Sequence, residues 1–176
     1  ANDAAVALAE YVMGSEENFV HRMNQKAKEI GLDSAKFVNA TGLPKGEEQN
    51  KMSPVDIFNL SRYILNKYPQ ILQITNRTIL QMPWRDFEEE NTNTLIKNMK
   101  GVDGLKTGFT DKAGYCLVST IRVNELDEDS KFRLIGVVMG TESAEERENV
   151  TRELLTYAVD NYEKKCILST EEPVGE

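Results

Sequence analysis

The chain has 176 residues, 40% of them hydrophobic and 28% charged, as in a soluble globular protein with one domain or most of a larger one. A net charge of −8 argues against a nucleic-acid partner, because phosphate binding needs a basic footprint. No apolar run reaches bilayer-spanning length, and two cysteines without Cys-x-x-Cys spacing argue against a zinc site or a disulfide framework, leaving room for one disulfide.

Taken in order, ANDAAVALAEYVMG predicts a helix with Val6, Leu8, Tyr11 and Val12 apolar, ended by Gly14. It opens at Ala1 with no capping residue before it, so the chain is expected to be cut at a helix start. Ser15 caps a second helix, SEENFVHRMNQKAKEIG, whose apolar positions are Val20, Met23, Ala27 and Ile30, with Gly31 closing it. The segment KFVNATGLPKGEEQNKM is rich in Gly, Asn and Pro and predicts an ordered loop. Ser53 and Pro54 start a third helix that runs through Ile57, Leu60, Ile64 and Leu65 towards Pro69.

The period then changes. Thr78 to Met82 predicts a short strand and FEEENTNT an exposed polar loop. GYCLVSTIRV and KFRLIGVVMG are strand-like, joined as a hairpin through NELDEDS. LIGVVM is apolar without alternation, which suits a central strand covered on both faces. A last helix runs from about Ser143 to Asn161, and the stretch after Lys165 loses all periodicity. Helices, a hairpin sheet and a final helix predict an α+β fold, with helices packed on an antiparallel sheet.

The chemistry concentrates in GVDGLKTGFTDKAGYCLV. A phosphate-cradling loop fails on detail: Leu105 stands where that motif needs glycine, and a strand-like run follows in place of a helix. A plain glycine turn with a solvated lysine competes, because three specified residues recur by chance in about one chain in fifty of this length. The third reading is the Lys-Thr-Gly element of serine acyl-transfer enzymes. Lys106 would hold positive potential over carboxylates and oxyanions, and the Thr107 hydroxyl could bond a substrate carboxylate. Gly108, lacking a Cβ, would let an extended peptide approach the strand.

Four stretches in collinear order make the resemblance specific: AND followed by AAVALAE; FVHRMNQKAKEIGLDSAKFVNATGLP; VDGLKTGFTDKAGYCLV; and RLIGVVMGTESAEER. Together they resemble the serine D-Ala-D-Ala carboxypeptidases, the low-molecular-weight penicillin-binding proteins, over residues 1–163. The resemblance implies a β-lactamase/transpeptidase-like α+β domain, here its C-terminal portion, with residues 164–176 a linker toward a following domain. It implies that Asn2 is the Asn of a Ser-x-Asn element and faces Lys106 across one cleft. Lys106 would assist proton transfer, Thr107 and Arg147 would bind the terminal carboxylate, and the Phe109 N–H would donate into the oxyanion hole. It brings no cofactor and no metal. The implied partners are peptidoglycan stem peptides ending in D-Ala-D-Ala, β-lactam antibiotics and the N-terminal part of the same domain, in the extracytoplasmic bacterial cell envelope, with a parent protein that is secreted and membrane-anchored. Membrane contact would come only through segments outside this chain.

One departure matters. No Ser-x-x-Lys occurs in the 176 residues, so the nucleophile is expected to precede Ala1, and the chain alone is expected to be inactive. A serine β-lactamase, or a non-catalytic module that binds muropeptides or penicillin, stands as an alternative. Other features have bland readings. His21 reads as a surface or satisfied histidine and Cys116 as a buried small hydrophobe. An arginine in an EER cluster, such as Arg147, is ordinarily solvated or ion-paired.

Overall fold

Ser15 and Ser53 set the first two boundaries, as their types predict: Ser15 Oγ accepts from the Asn18 N–H and Ser53 Oγ from the Asp56 N–H. In the computed structural model, which describes residues 2–124 and 130–165, helices α1 (Asn2–Met13), α2 (Glu16–Glu29) and α3 (Pro54–Lys67) follow the expected order. At the end of α2, Gly31 takes a φ of +73°. The Leu32 N–H returns to the Ala27 carbonyl and the Gly31 N–H to Lys28, so the last carbonyls of the helix are satisfied.

The chain divides into two compact units: 1–69 with 109–114, and 70–108 with 115–176. In the first, α1 packs against α2, and Ala9, Ala27, Leu32 and Leu65 are buried. The loop 36–52 is held by asparagine side chains. Asn24 of α2 bonds both the N–H and the carbonyl of Phe37. Asn39 Oδ1 accepts from the N–H groups of Thr41 and Gly42. Asn50 Oδ1 accepts from Val38. The MNQKA and NATGL stretches thus have local structural work to do. The apolar stripe expected on α1 is only partly used, since Leu8, Tyr11 and Val12 are exposed, Tyr11 to 89%.

The second unit begins with the short helix α4 (Leu72–Thr75), then β1 (Ile79–Met82) paired antiparallel with β2 (Phe87–Glu90), then α5 (Leu95–Asn98). The polar stretch expected to be a loop therefore starts as a strand: all four residues of β2 are exposed, and backbone pairing with β1, not burial, holds them. Strands β3 (Val102–Thr110), β4 (Gly114–Val123) and β5 (Phe132–Thr141) form a three-stranded sheet in that order. Antiparallel pairing of β4 with β5 runs from Tyr115–Thr141 to Val123–Phe132 with a bulge near Tyr115. The connecting NELDEDS turn falls mostly outside the described residues, as do the end of the chain after Lys165 and Cys166.

Two expectations change. LIGVVM lies in β5, which among the described residues is at an edge of this sheet, with β4 between β3 and β5. Helix α6 (Ala144–Asn161) packs on β5, where its Leu154 and Leu155 would meet a Cβ placed at Gly136 at 3.4 and 3.2 Å. Cys116 is half-buried on β4 rather than fully buried. The core of the unit joins Leu95, Val102, Leu117, Ile121, Val123 and Leu155. Beside it, Asp103 on β3 accepts from both terminal nitrogens of Arg133 on β5, at 2.6 and 2.9 Å. Arg133 also donates to Thr120 on β4, so one buried carboxylate links all three strands.

Candidate active site

Strand β3 carries the Lys-Thr-Gly element, and its first residues are anchored from below. Gly104 sits where a Cβ would meet Thr75 Oγ1 at 2.8 Å and Thr120 Cγ2 at 3.3 Å. The Thr75 hydroxyl donates to the Asp103 carbonyl, and the Gly104 carbonyl accepts from Ser119 and from Asn93. At Gly108 the reverse holds: nothing lies within 4 Å of the position a Cβ would take, so packing does not require glycine there.

Two cations meet at this strand. The Lys106 ammonium donates to the Thr107 carbonyl, and its pKa is lowered first by desolvation and then by the charge of Arg147. Arg147 is only 8% exposed. It lies in the first turn of α6, where Ser143 Oγ accepts from the Glu146 N–H and the Glu146 carboxylate accepts from the Glu142 N–H. Its Nη2 donates to the Thr92 carbonyl at 3.2 Å, while its buried Nε has no hydrogen-bond partner among the described residues. The bland reading of a solvated arginine in an EER cluster does not hold, because Arg147 is buried. Its neighbour Glu148 is occupied elsewhere, accepting from Thr94 and Arg152.

Thr107 is tied to a residue that sequence pattern alone places in a polar loop. Its Oγ1 lies 2.7 Å from Thr92 Oγ1. Flanking asparagines fix that segment. Asn91 donates to the carbonyls of Thr75 and Arg77 and accepts from the Asn93 N–H. Asn93, 3% exposed, donates to Gly104, and its Oδ1 has no partner among the described residues. The alternating Asn-Thr-Asn is the available signal, since Asn beside a strand commonly bonds backbone.

Lys106, Thr107, Gly108 and Arg147 thus share one unit with Thr92 and Asn93. Phe109 continues β3 and is 52% exposed; it and Asn2, exposed at the start of α1, belong to the first unit. No group of three or more His, Cys, Asp or Glu able to hold a metal occurs among the described residues. No helix among them is long and apolar enough to cross a membrane.

Lys106, exposed on β3, the Thr107 hydroxyl beside it and the buried Arg147 of α6 suit an anionic, peptide-like ligand. The D-alanyl-D-alanine carboxypeptidase family, peptidase family S11, matches residues 1–143. The chain belongs to this family. D-alanyl-D-alanine carboxypeptidase DacF of Bacillus subtilis is 39% identical over 165 residues, covering 92% of this chain and 40% of that protein. DacD of Escherichia coli is 36% identical over 176 residues, covering 99% of this chain and 42% of that protein. The chain therefore spans about two-fifths of the length of these relatives. Penicillin-binding protein D2 of Listeria monocytogenes, solved in its cefotaxime-bound form, superposes with a TM-score of 0.79 at 34% identity. That match covers 89% of this chain and 60% of that one, and it establishes the penicillin-binding fold for this D-alanyl-D-alanine carboxypeptidase family member.

Proposed function

We propose that the protein containing this chain is a serine D,D-carboxypeptidase that removes the terminal D-alanine from peptidoglycan stem peptides. The single observation that carries the reading is the pair of cations, Lys106 and Arg147, held beside Thr107 with a buried Arg147 Nε that lacks an acceptor among the described residues. In an acidic chain, such a site suits a carboxylate.

The reaction divides among the residues as follows. A serine outside these 176 residues attacks the carbonyl carbon between the last two D-alanines. The carbonyl oxygen takes the negative charge, and the backbone N–H of Phe109 is one of its donors. The C–N bond then breaks, the departing nitrogen gains a proton, and D-alanine leaves. Water next attacks the ester, releasing the shortened peptide and restoring the serine. Lys106 acts at the proton transfers and on the developing charge, its pKa lowered by desolvation and by the charge of Arg147.

Thr107 and Arg147 hold the terminal carboxylate, the arginine by its planar fork. Gly108 admits the substrate backbone, and Asn2 contacts the peptide. β-Lactams would acylate the same serine, consistent with the cefotaxime-bound form of the Listeria relative. The work would lie outside the cytoplasm, at the cell wall.

The test is D-alanine release from a peptide ending in D-Ala-D-Ala by the full-length protein. Arg147→Gln is expected to raise KM by about tenfold or more, the loss of one charged hydrogen-bonding partner. An unchanged KM would remove Arg147 from the carboxylate site. In parallel, penicillin treatment of this chain by itself is expected to leave its intact mass unchanged; a covalent adduct would place the nucleophile within it.

A further inference from the structure

Thr92 is an exposed residue with no assigned task, yet it touches both carboxylate-binding candidates. Its hydroxyl lies 2.7 Å from that of Thr107, and its carbonyl accepts from Arg147 Nη2. Its position is fixed from both sides, by Asn91 on the carbonyls of Thr75 and Arg77 and by Asn93 on that of Gly104. We propose that Thr92 is a positioning residue for the carboxylate-binding step: its hydroxyl donates to Thr107 Oγ1 and so leaves the Thr107 proton for the substrate carboxylate. The proposal rests on the carboxypeptidase reading above.

The direction of the bond follows from donor counting. An ionised carboxylate only accepts, so a Thr107 hydroxyl serving it must give its single proton outward. Thr107 Oγ1 then has lone pairs to offer inward, and the Thr92 hydroxyl is the group facing them. The resulting chain, Thr92 to Thr107 to carboxylate, has each donor polarised by the bond behind it. Were the inner bond reversed, Thr107 would spend its proton on Thr92 and present only lone pairs to an anion. The backbone carbonyl contact with Arg147 survives any side-chain change at residue 92, so substitution there isolates the hydroxyl.

The effect is confined to one half of the reaction. The carboxylate departs with D-alanine, so Thr92 serves acylation and not deacylation. In the full-length enzyme, Thr92→Val is expected to lower kcat/KM for a D-Ala-D-Ala peptide by about fivefold, the loss of one ordinary hydrogen bond, chiefly through KM. The single-turnover deacylation rate is expected to stay unchanged. Thr92→Ser, which keeps the hydroxyl, should stay within about twofold of the wild type. In a Thr107→Val background, Thr92→Val should cost nothing further.

A Thr92→Val enzyme as active as wild type, or one that loses as much again on top of Thr107→Val, overturns the proposal. So does an equal loss in deacylation, which would mark a merely structural role. The outcomes separate from those of the underlying reading. A wild type that releases no D-alanine refutes the carboxypeptidase assignment and takes this role with it. A wild type that is active and impaired by Thr107→Val, but indifferent to Thr92→Val, refutes only the role of Thr92.

Discussion

Arg147 acts on Lys106 by charge alone: after desolvation, its guanidinium is the next cause holding the lysine pKa below the ordinary range. Because the folded value lies below the unfolded one, folded Lys106 binds fewer protons between the two values. Its contribution to stability therefore rises with pH through the window below the ordinary lysine pKa, and at neutral pH the two cations cost stability. On the carboxylate-binding reading proposed above, a bound carboxylate would offset that cost.

Removing the second charge should undo part of the shift. Arg147→Gln is expected to move the Lys106 titration upward but not to the ordinary lysine value, because desolvation is the larger cause and remains. Titration of selectively labelled lysine by NMR in the full-length protein checks this. An unmoved titration would mean that the two side chains do not share an electrostatic environment.

The two glycines flanking Lys106 should behave oppositely. Gly104→Ala drives a Cβ to 2.8 Å from Thr75 Oγ1, whose hydroxyl is bonded to Asp103, and is expected to destabilise by about 1–3 kcal/mol. Gly108→Ala meets nothing within 4 Å, so its Tm should stay close to wild type while kcat/KM falls. Thermal melts beside steady-state kinetics distinguish the pair. A Gly108→Ala enzyme with full activity would show that substrate does not pass over that strand.

Asp103 is the ionic tie of the sheet. Its carboxylate is buried and takes both terminal nitrogens of Arg133 and the Nε of Arg122, 3.1 Å away. Asp103→Asn is expected to destabilise by about 2–3 kcal/mol, the low end for breaking a buried pair, because both arginines stay partly in water. Chemical denaturation of wild type and variant measures it, and an unchanged midpoint would relegate the cluster to a surface contact.

Legibility in the sequence follows the range of the interactions. The caps at Ser15, Ser53 and Ser143, and the glycine stop at Gly31, obey local rules and can be read directly. The Lys-Thr-Gly strand is legible because its residue types are chemically unusual together. Hidden are features set by distant partners. Arg147 is buried and donates to the Thr92 carbonyl far back in the chain, which nothing in EER announces. Strand β2 is wholly exposed and so has no hydrophobic alternation to read. The place of β5 beside β4 alone, among the described strands, is not legible because its run is apolar without alternation, as a central strand's would be. Thr92 carries no signal of its own because its value lies in a contact fifteen residues away.

The central claim, that Lys106 serves acyl transfer at a carboxylate-binding site, is tested most directly by D-alanine release from a D-Ala-D-Ala peptide by the full-length Lys106→Ala enzyme. The account predicts a fall in kcat/KM of about a hundredfold or more, the usual worth of a positioned proton-transfer group, with the fold intact by circular dichroism. A folded Lys106→Ala enzyme working within about twofold of wild type, where a proton-transfer group is expected to matter this much, would contradict it.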